Sequence, residues 1–294
     1  MVETTNQSRR RTMTSPNAKT WFITGASGGF GREWTEAALE RGDRVAATAR
    51  SVDRLADLTR LYGDSVLALT LDVTDRGEVT AAVAEALRHF GGIDVVVNNA
   101  GFGQLGMVEE ISPEEIRAIL DANLLGTLWV TQAVLPALRA QGSGHIVQVT
   151  SEGGVTAFAQ FGAYHASKWA VEGLSQSLRL EVAAFGIHVT CVEPGPYATG
   201  FGSSGLRRST SMAEYDVVRD GIDRGGWLLG DPTATRQAML AVVDAEEAPQ
   251  RIVFGRALEG IEQDYAERLR TWREWQPTSL AAFGDPHAPA TSSI

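Results

Sequence analysis

Short apolar runs alternate with segments of helical periodicity along most of the chain. The runs, which we interpret as β-strands, lie near residues 21–24, 44–48, 66–71, 93–97, 145–149, 187–192 and 251–254. Between them, apolar residues recur at the spacing of a helix that buries one face. One such stripe consists of Val79, Ala82, Val83, Ala86, Leu87 and Phe90. This alternation predicts a doubly wound α/β fold, with a parallel seven-stranded sheet and helices on both faces.

The same pattern divides the chain into regions. In chain order we expect a disordered tail at residues 1–18, a single domain at 19–255, a helical extension at 256–283 and a flexible tail at 284–294. Within the domain, residues 200–230 are rich in Gly, Ser and Arg, a composition that suits a mobile segment. A helix is expected in this segment at residues 212–223.

Composition restricts the class of protein. With 44% hydrophobic residues among 294, the chain can bury a substantial core. No run approaches the roughly 20 apolar residues of a membrane span. A formal net charge of −10 disfavours nucleic-acid binding. The N-terminal region has three consecutive arginines without a following apolar run, which argues against a secretory signal. We therefore expect a cytoplasmic protein that binds neither nucleic acid nor membrane.

The cysteine and histidine content argues against two further classes of site. Cys191 is the only cysteine, which excludes an internal disulfide, and its apolar strand context predicts a buried core residue. The five histidines show no metal-ligand spacing. We therefore expect no structural or catalytic metal.

A glycine-rich segment, T-G-A-S-G-G-F-G at residues 24–31, follows the first predicted strand and precedes the first predicted helix. This order is typical of dinucleotide-binding sites. Gly25 permits the tight turn, while Gly29 and Gly31 allow backbone amides and a helix N-terminus to approach a pyrophosphate. Glycine-rich turns also occur in ordinary loops, so it is the placement after the first strand that favours a nucleotide.

Tyr164 and Lys168 lie four residues apart in Y-H-A-S-K, a spacing that places both side chains on one helix face. A tyrosine is a poor base at neutral pH because its ordinary pKa is about 10. A nearby ammonium group favours the phenolate and lowers that pKa. Ser151, which follows an apolar strand, supplies a hydroxyl that could hold a carbonyl or alcohol oxygen. The alternative for the pair, taken alone, is a surface Tyr and Lys on an ordinary helix.

The order of these motifs resembles the short-chain dehydrogenase/reductase family in its single-domain form. The matching positions are residues 24–31, Asp72 with Val73, residues 98–101, Asn123, Ser151, Tyr164 with Lys168, Pro194 with Gly195, and Thr199. The resemblance covers roughly residues 19–200 and implies a Rossmann-type fold, a nicotinamide cofactor and oxidoreductase activity. The segment Y-H-A-S-K-W-A-V-E-G is also similar to the hydroxysteroid-dehydrogenase-like branch, which does not specify a steroid substrate.

The resemblance assigns catalytic roles to four residues, Asn123, Ser151, Tyr164 and Lys168. Tyr164 is implied to exchange a proton with the substrate oxygen, which Ser151 holds by a hydrogen bond. Lys168 is implied to lower the pKa of Tyr164 and to hold the nicotinamide ribose. Asn123 would position a water that connects Lys168 to solvent. Because Asn123 lies within a helical pattern, a purely structural asparagine is the competing interpretation.

The expected cofactor is NADP(H) in preference to NAD(H). Ala49 stands at the end of the second strand, where an NAD site has an acidic residue that holds the ribose diol. Arg50 follows it and could bind a 2′-phosphate, unless it is only a solvated residue at a helix start. Asp72 is expected at the adenine, with a helix cap as its alternative role. The predicted cofactor contacts are Gly25, Ser27, Gly28, Gly29, Phe30, Gly31, Arg50, Asp72, Val73, Asn99, Ala100, Gly101, Tyr164, Lys168, Pro194, Gly195 and Thr199.

We therefore expect an oxidoreductase that interconverts a ketone or aldehyde and an alcohol by hydride transfer. The candidate substrate contacts are Ser151, Phe161, Tyr164, Tyr197 and Phe201. For Phe161, Tyr197 and Phe201, core packing is an equally good explanation. A moderately bulky, apolar substrate is expected. The family implies that a lid near residues 196–230 closes over the substrate. It also implies a homodimer or homotetramer.

Two alternatives to this function stay open. One is a catalytically silent NADP(H)-binding regulator, against which the complete set of four catalytic residues argues. The other is a redox-neutral epimerase or dehydratase, which uses the same tyrosine and lysine. Such relatives usually carry a larger C-terminal substrate domain, and little chain follows Thr199.

Overall fold

The structure, a computed structural model, describes residues 18–222 and 228–283. Its strands are β1 (Thr20–Ile23), β2 (Arg44–Ala49), β3 (Val66–Thr70), β4 (Val95–Asn98), β5 (Gly103–Leu105), β6 (Gly144–Val149), β7 (Ile187–Pro194), β8 (Leu206–Arg208) and β9 (Arg251–Phe254). Seven of them form one parallel sheet in the order β3-β2-β1-β4-β6-β7-β9. The predicted seven-stranded parallel sheet is confirmed, and each predicted strand overlaps an observed one.

Helices connect the strands and cover both faces of the sheet. They are α1 (Gly29–Arg41), α2 (Ala56–Tyr62), α3 (Arg76–Phe90), α4 (Pro113–Leu120), α5 (Gly126–Gln141), α6 (Gly162–Val182), α7 (Asp216–Gly221), α8 (Thr235–Asp244), α9 (Leu258–Glu274) and α10 (Gln276–Phe283). Helices α1, α2 and α8 pack on one face, and α3, α5 and α6 pack on the other. The result is a single doubly wound domain.

Two apolar layers fix the helices to the sheet. On the first face, Trp34 of α1 and Met239 of α8 are fully buried, and the Trp34 indole donates a 2.9 Å hydrogen bond to Thr235. On the second face, the predicted stripe of α3 is buried at Val79 and Val83. Each large apolar side chain that is fully buried contributes about 1.5–3 kcal/mol to stability.

One long helical segment crosses the second face and changes its winding around Asn123. Helices α4 and α5 are joined by a turn of π-helix, Asp121–Leu125, which contains Asn123. Turns of this kind occur often at functional sites. We expected no apolar run long enough to span a membrane. By length and composition alone, however, the helix Pro113–Gln141 could cross one. In this fold Val130, Val134 and Leu138 are buried against the sheet, which accounts for its apolar character.

The region after β7 is attached to the domain by a small second sheet. Strand β8 pairs with β5 in parallel, and Ser209 accepts a hydrogen bond from Gln104. The helix expected at residues 212–223 consists of a 3-10 turn, Ala213–Tyr215, followed by α7. Residue 223 lies outside the described residues, as do the expected tails at residues 1–17 and 284–294.

Residues 258–283 form two helices at the edge of the domain, and no residue of α9 or α10 is buried. The Arg268 guanidinium lies over the Trp169 ring of α6, 4.6 Å from its centroid. Trp272, Trp275 and Phe283 stay more than half exposed. The extension thus contacts its own subunit through α6 and leaves apolar side chains in solvent.

Candidate active site

A cavity of about 910 Å³ opens at the carboxyl ends of the central strands. In a doubly wound sheet, ligands bind at this edge. With the exception of Gly31 and Asn123, every site residue predicted from the sequence lines the cavity. The fold therefore brings together segments that lie far apart in the chain.

The glycine-rich turn forms one wall and ends at the first residue of α1. Gly25 has a φ of 69°, and a Cβ there would lie 3.2 Å from the Cα of Ala100. Gly29 also has a positive φ, 53°. Gly28 precedes the helix, and a Cβ on it would meet no atom nearer than 3.9 Å. The N-terminus of α1, which favours anions, thus faces the cavity without a side chain over it.

Gly31 has a different role from the one expected. A Cβ at this position would lie 2.4 Å from the Gly25 carbonyl oxygen and 2.5 Å from the Asn99 amide nitrogen. Gly31 is buried behind the turn and does not line the cavity. Glycine is required here because the turn packs against α1. The expected approach of the Gly31 backbone to a pyrophosphate is therefore wrong.

Two asparagines hold the turn and the sheet in register. The buried Asn98 amide donates to Thr131 at 3.1 Å and to Gln148 at 2.9 Å, which ties β4 to α5 and β6. The Asn99 amide donates a 2.9 Å hydrogen bond to the Thr24 carbonyl of the glycine-rich turn. The backbone of Ala100 and Gly101 is thereby presented to the cavity.

Ser151, Tyr164 and Lys168 meet in the centre of the cavity. Ser151 follows β6, where its hydroxyl accepts a 3.0 Å hydrogen bond from the Gly153 amide. Tyr164 and Lys168 are both buried on one face of α6. The Lys168 ammonium lies 5.9 Å from the centroid of the Tyr164 ring.

The protonation of Tyr164 differs from our expectation. Burial raises the pKa of the Tyr164 hydroxyl to about 12, and the hydrogen bond from Ser151 only partly opposes this effect. The Glu152 carboxylate raises the same pKa further. We expected Lys168 to lower this pKa, but its ammonium donates a 2.8 Å hydrogen bond to the Val149 carbonyl instead. At neutral pH, Tyr164 is therefore a proton donor in this structure.

A buried cluster of charged groups lies behind Lys168. Burial lowers the pKa of Lys168 to about 8, and the Glu172 carboxylate, one turn further along α6, opposes this shift. Glu172 also lies 3.3 Å from the Arg251 guanidinium, which is the same distance from Glu193. Burial and the negative charge of Glu172 raise the pKa of Glu193 to about 7. The sequence predicted a buried Cys191, and it lies in this cluster.

Asn123 supports the site from outside the cavity. Its side-chain amide donates to the Phe102 carbonyl and to the Ser167 hydroxyl, both at 2.9 Å. Its side-chain oxygen accepts a 3.0 Å hydrogen bond from the Phe102 amide. The side chain therefore clamps Phe102 to α6, which agrees with the structural alternative, and its expected contact with a water remains a prediction.

The other end of the cavity carries a positive charge. Arg50 follows β2 and lies near Asp72. Burial acts to raise the pKa of Asp72, but two hydrogen bonds from Thr74 and, after them, the charge of Arg50 hold this pKa below its ordinary value. Asp75, rather than Asp72, caps α3 by accepting hydrogen bonds from backbone amides. Arg54, which the sequence analysis missed, also lines this end near Gly28. Its position in the 3-10 turn after β2 could not be recognised from a motif.

Aromatic side chains surround Tyr164. The ring of Phe201 lies 5.4 Å from that of Tyr164, and the ring of Phe161 lies 6.2 Å away. Tyr197 differs from these two because it packs at 5.0 Å on Phe30 of the glycine-rich turn. Phe102 joins the wall beside Phe201, although no motif of the sequence pointed to it.

The residues present fit a dinucleotide. The helix N-terminus is free of side chains, and any side chain at Gly25 would close the turn against Ala100. Arg50 and Arg54 lie at one end of the cavity, and Ser151 and Tyr164 lie at the other. Such an arrangement would hold the phosphates and adenosine at one end and place a nicotinamide beside Tyr164.

Comparisons with known proteins agree with this geometry. The family described as short chain dehydrogenase matches residues 19–207. Oxidoreductase BOA17 of Botryotinia fuckeliana (strain B05.10) is 39% identical over 271 residues, which is 90% of this chain and 99% of that protein. The crystal structure of a short-chain dehydrogenase from Streptomyces avermitilis is 38% identical and superposes with a TM-score of 0.85, over 92% of this chain and 100% of that one.

A third relative carries a ligand. The alcohol dehydrogenase from the archaeon Thermococcus sibiricus, complexed with 5-hydroxy-NADP, is 28% identical to this chain. It superposes with a TM-score of 0.69 over 81% of this chain and 96% of that one.

Proposed function

The chain belongs to the short-chain dehydrogenase family, and we propose that it uses NADP(H) to interconvert a ketone or aldehyde and an alcohol, with Tyr164 as the general acid and base. Family membership makes the chain an NAD(P)-dependent dehydrogenase or reductase that acts on CH–OH and C=O groups of small molecules. The preference for NADP(H) and the role of Tyr164 are the proposal. Similarity to the hydroxysteroid-dehydrogenase-like branch stays a prediction and does not enter it.

The observation that carries the proposal is that Ser151 and Tyr164 line the same cavity, beside the buried Lys168. A substrate oxygen placed between the two hydroxyls would accept a hydrogen bond from each. The nicotinamide cofactor supplies or accepts the hydride at the neighbouring carbon. In reduction, the Tyr164 hydroxyl gives its proton to the developing alkoxide, and Ser151 stabilises the negative charge on the same oxygen.

The acid–base properties of the site favour reduction at neutral pH. Because burial raises the pKa of Tyr164 to about 12, its hydroxyl is protonated and can act as an acid. Lys168, whose pKa burial lowers to about 8, keeps most of its charge at pH 7. Its ammonium lies close enough to the Tyr164 ring to stabilise the phenolate that forms when the proton leaves.

The proposed preference for NADP(H) rests on Arg50 and Arg54. Both guanidinium groups belong to the end of the cavity that follows β2, and Ala49 stands at the end of β2, where an NAD site has the acidic residue that holds the ribose diol. Two arginines would bind a 2′-phosphate by charge-assisted hydrogen bonds. The Thermococcus sibiricus relative, which was complexed with 5-hydroxy-NADP, supports this choice.

The alternatives do not account for the same features. A silent regulator does not need Ser151, Tyr164 and Lys168 together around one cavity. A redox-neutral epimerase or dehydratase would regenerate its cofactor. Net accumulation of NADP⁺ with a carbonyl substrate would therefore exclude both alternatives.

The test is NADPH consumption with a panel of steroid, aromatic, sugar and aliphatic carbonyl compounds. We expect at least one class to be reduced, with one alcohol formed for each NADPH consumed. Tight NADPH binding without turnover of any compound would support the regulator instead.

Location and assembly complete the proposal. We propose a cytoplasmic enzyme that forms a homodimer or homotetramer through α5 and α6, without a nucleic-acid or membrane partner. Leu180 on α6 is 70% exposed, which suits a helix that contacts a second subunit. Light scattering after size-exclusion chromatography tests the assembly, and Leu180→Glu should shift it toward the monomer.

A further inference from the structure

The small sheet formed by β5 and β8 places one arginine inside the cavity. Gln104 pairs with Arg207, and Leu105 pairs with Arg208. Successive side chains of a strand point to opposite sides. Arg207 accordingly lines the main cavity, while Arg208 lines a separate, smaller cavity of about 400 Å³.

Arg207 lies on the side of the cavity where the chemistry occurs. Its guanidinium carbon is 3.8 Å from the centroid of the Phe102 ring. The backbone of Phe102 is hydrogen-bonded through both its amide and its carbonyl to Asn123. Phe102 and Phe201 both pack on the apolar cluster that contains Tyr164, and the Phe201 ring lies 5.4 Å from the Tyr164 ring. Arg207 thus contacts the aromatic cluster that surrounds Tyr164.

The charge of Arg207 has no partner among the residues that the structure describes. Arg219, further along the same segment, is by contrast paired with Glu110. Three carboxylates line the main cavity, but none of them lies within ion-pair distance of the Arg207 guanidinium. They belong to Asp72, Asp121 and Glu152.

Stacking on Phe102 restricts the guanidinium plane without using its donors. A guanidinium on an aromatic face keeps its N–H groups at the edge of the plane, where they match the two oxygens of a carboxylate. Because Asn123 holds the backbone of Phe102 on both sides, the ring on which Arg207 stacks starts from a fixed point of the chain, and an anion bound here would encounter a preorganised donor. Arg50 and Arg54, at the opposite end, are the candidates for the cofactor phosphate.

We propose that the substrate carries an anionic group, such as a carboxylate, which Arg207 binds while its carbonyl reaches Ser151 and Tyr164. This inference rests on the proposed function and names the substrate class for the same site. The aromatic wall of Phe102, Phe161 and Phe201 would hold an apolar body between the two polar ends. The expected substrate is therefore a keto acid or the corresponding hydroxy acid, rather than a wholly apolar ketone.

The test uses linear methyl-ketone carboxylic acids of increasing chain length, each paired with its methyl ester. Binding to the NADP⁺-loaded protein is measured by isothermal titration calorimetry. At the best length, we expect the acid to bind at least about tenfold more tightly than the ester, since hydrogen bonds to a charged group contribute this much. In Arg207→Gln the difference should shrink to about twofold, and Arg207→Lys should restore part of it.

Arg208→Gln is the matched control, because it removes the same charge from the neighbouring residue that faces away, and it should leave the difference unchanged. Equal binding of acids and esters to the unaltered protein at every length would overturn the proposal. An equal loss of acid and ester binding in Arg207→Gln, together with weaker NADPH binding, would also overturn it, because Arg207 would then bind the cofactor.

NADPH turnover of the same pairs of acid and ester is followed separately. Discrimination between acid and ester without any turnover would contradict the proposed reduction and leave the anion site standing.

Discussion

The ammonium group of Lys168 donates a 2.8 Å hydrogen bond to the carbonyl oxygen of Val149, the last residue of β6. This contact fastens α6 to the strand that leads into Ser151. It also holds the positive charge beside the Tyr164 ring, 5.9 Å from the ring centroid. One buried lysine thus contacts the strand that leads into Ser151 and lies next to Tyr164 on α6.

The first prediction concerns the pH dependence of reduction. Since the pKa of Lys168 is lowered to about 8 by burial, its charge is lost as the pH rises through that value, and kcat/KM for reduction should fall there. The Glu172 carboxylate opposes this lowering, so Glu172→Gln should move the fall to lower pH. Glu181→Gln, on an exposed residue of the same helix, serves as the control. An unchanged profile in Glu172→Gln would contradict the proposed influence of Glu172 on Lys168.

A second prediction addresses cofactor choice. Arg50→Ala and Arg54→Ala should each reduce the preference for NADPH over NADH by about tenfold, the value of a charge-assisted hydrogen bond to a phosphate. The ratio of the two kcat/KM values measures this preference. Arg60→Ala, on the exposed side of α2, should leave the ratio unchanged. A protein that prefers NADH from the outset, or a ratio insensitive to Arg50→Ala, would refute the assignment.

The third prediction separates two glycines of the same turn. Gly31→Ala should lower the free energy of unfolding by about 1–3 kcal/mol, because its Cβ would overlap the Gly25 carbonyl. Gly28→Ala, whose Cβ meets only open space and the end of Arg54, should keep nearly full stability. Urea denaturation of both variants provides the comparison. Equal stability of the two would show that Gly31 is not required for packing.

Acid stability provides a fourth prediction. Burial lowers the pKa of His145 from 6.5 to about 4, and its ring is hydrogen-bonded to Thr190 at 2.8 Å. A group with a lowered folded-state pKa stabilises the fold above the unfolded pKa, so its contribution of about 3 kcal/mol is lost as the pH falls from 6.5 through 4. The loss of stability over this range should be shallower in His145→Gln than in His89→Gln, which alters an exposed histidine. Parallel curves for the two variants would exclude His145 as the cause.

The fold could be predicted because its signals are local. Seven apolar runs at regular intervals specify the parallel sheet, and the stripe beginning at Val79 specifies the buried face of α3. Strands β5 and β8 were missed because three-residue strands carry almost no periodicity. The change of winding around Asn123 was missed as well, since a π turn differs from an α-helix in hydrogen bonds and not in sequence pattern.

The candidate site likewise contains residues that sequence motifs reveal and residues that they do not. Motif residues such as Ser151 and Tyr164 were found from the sequence, and the structure brings them together. Arg54, Phe102 and Arg207 lie in no motif and reach the cavity only through the path of the chain in three dimensions. The raised pKa of Tyr164 depends on how completely the side chain is buried, and spacing alone does not reveal this quantity.

The central claim is that Tyr164 transfers the proton that accompanies hydride transfer. The most direct measurement is the rate of NADPH oxidation by the unaltered protein and by Tyr164→Phe, with the best carbonyl substrate at saturating concentration. Removing a general acid should reduce kcat by about 100- to 10,000-fold. The dissociation constant for NADPH should change by no more than about threefold, since a phenylalanine fills the same space. Retention of most of the activity in Tyr164→Phe, with NADPH still bound, would contradict this account of the site.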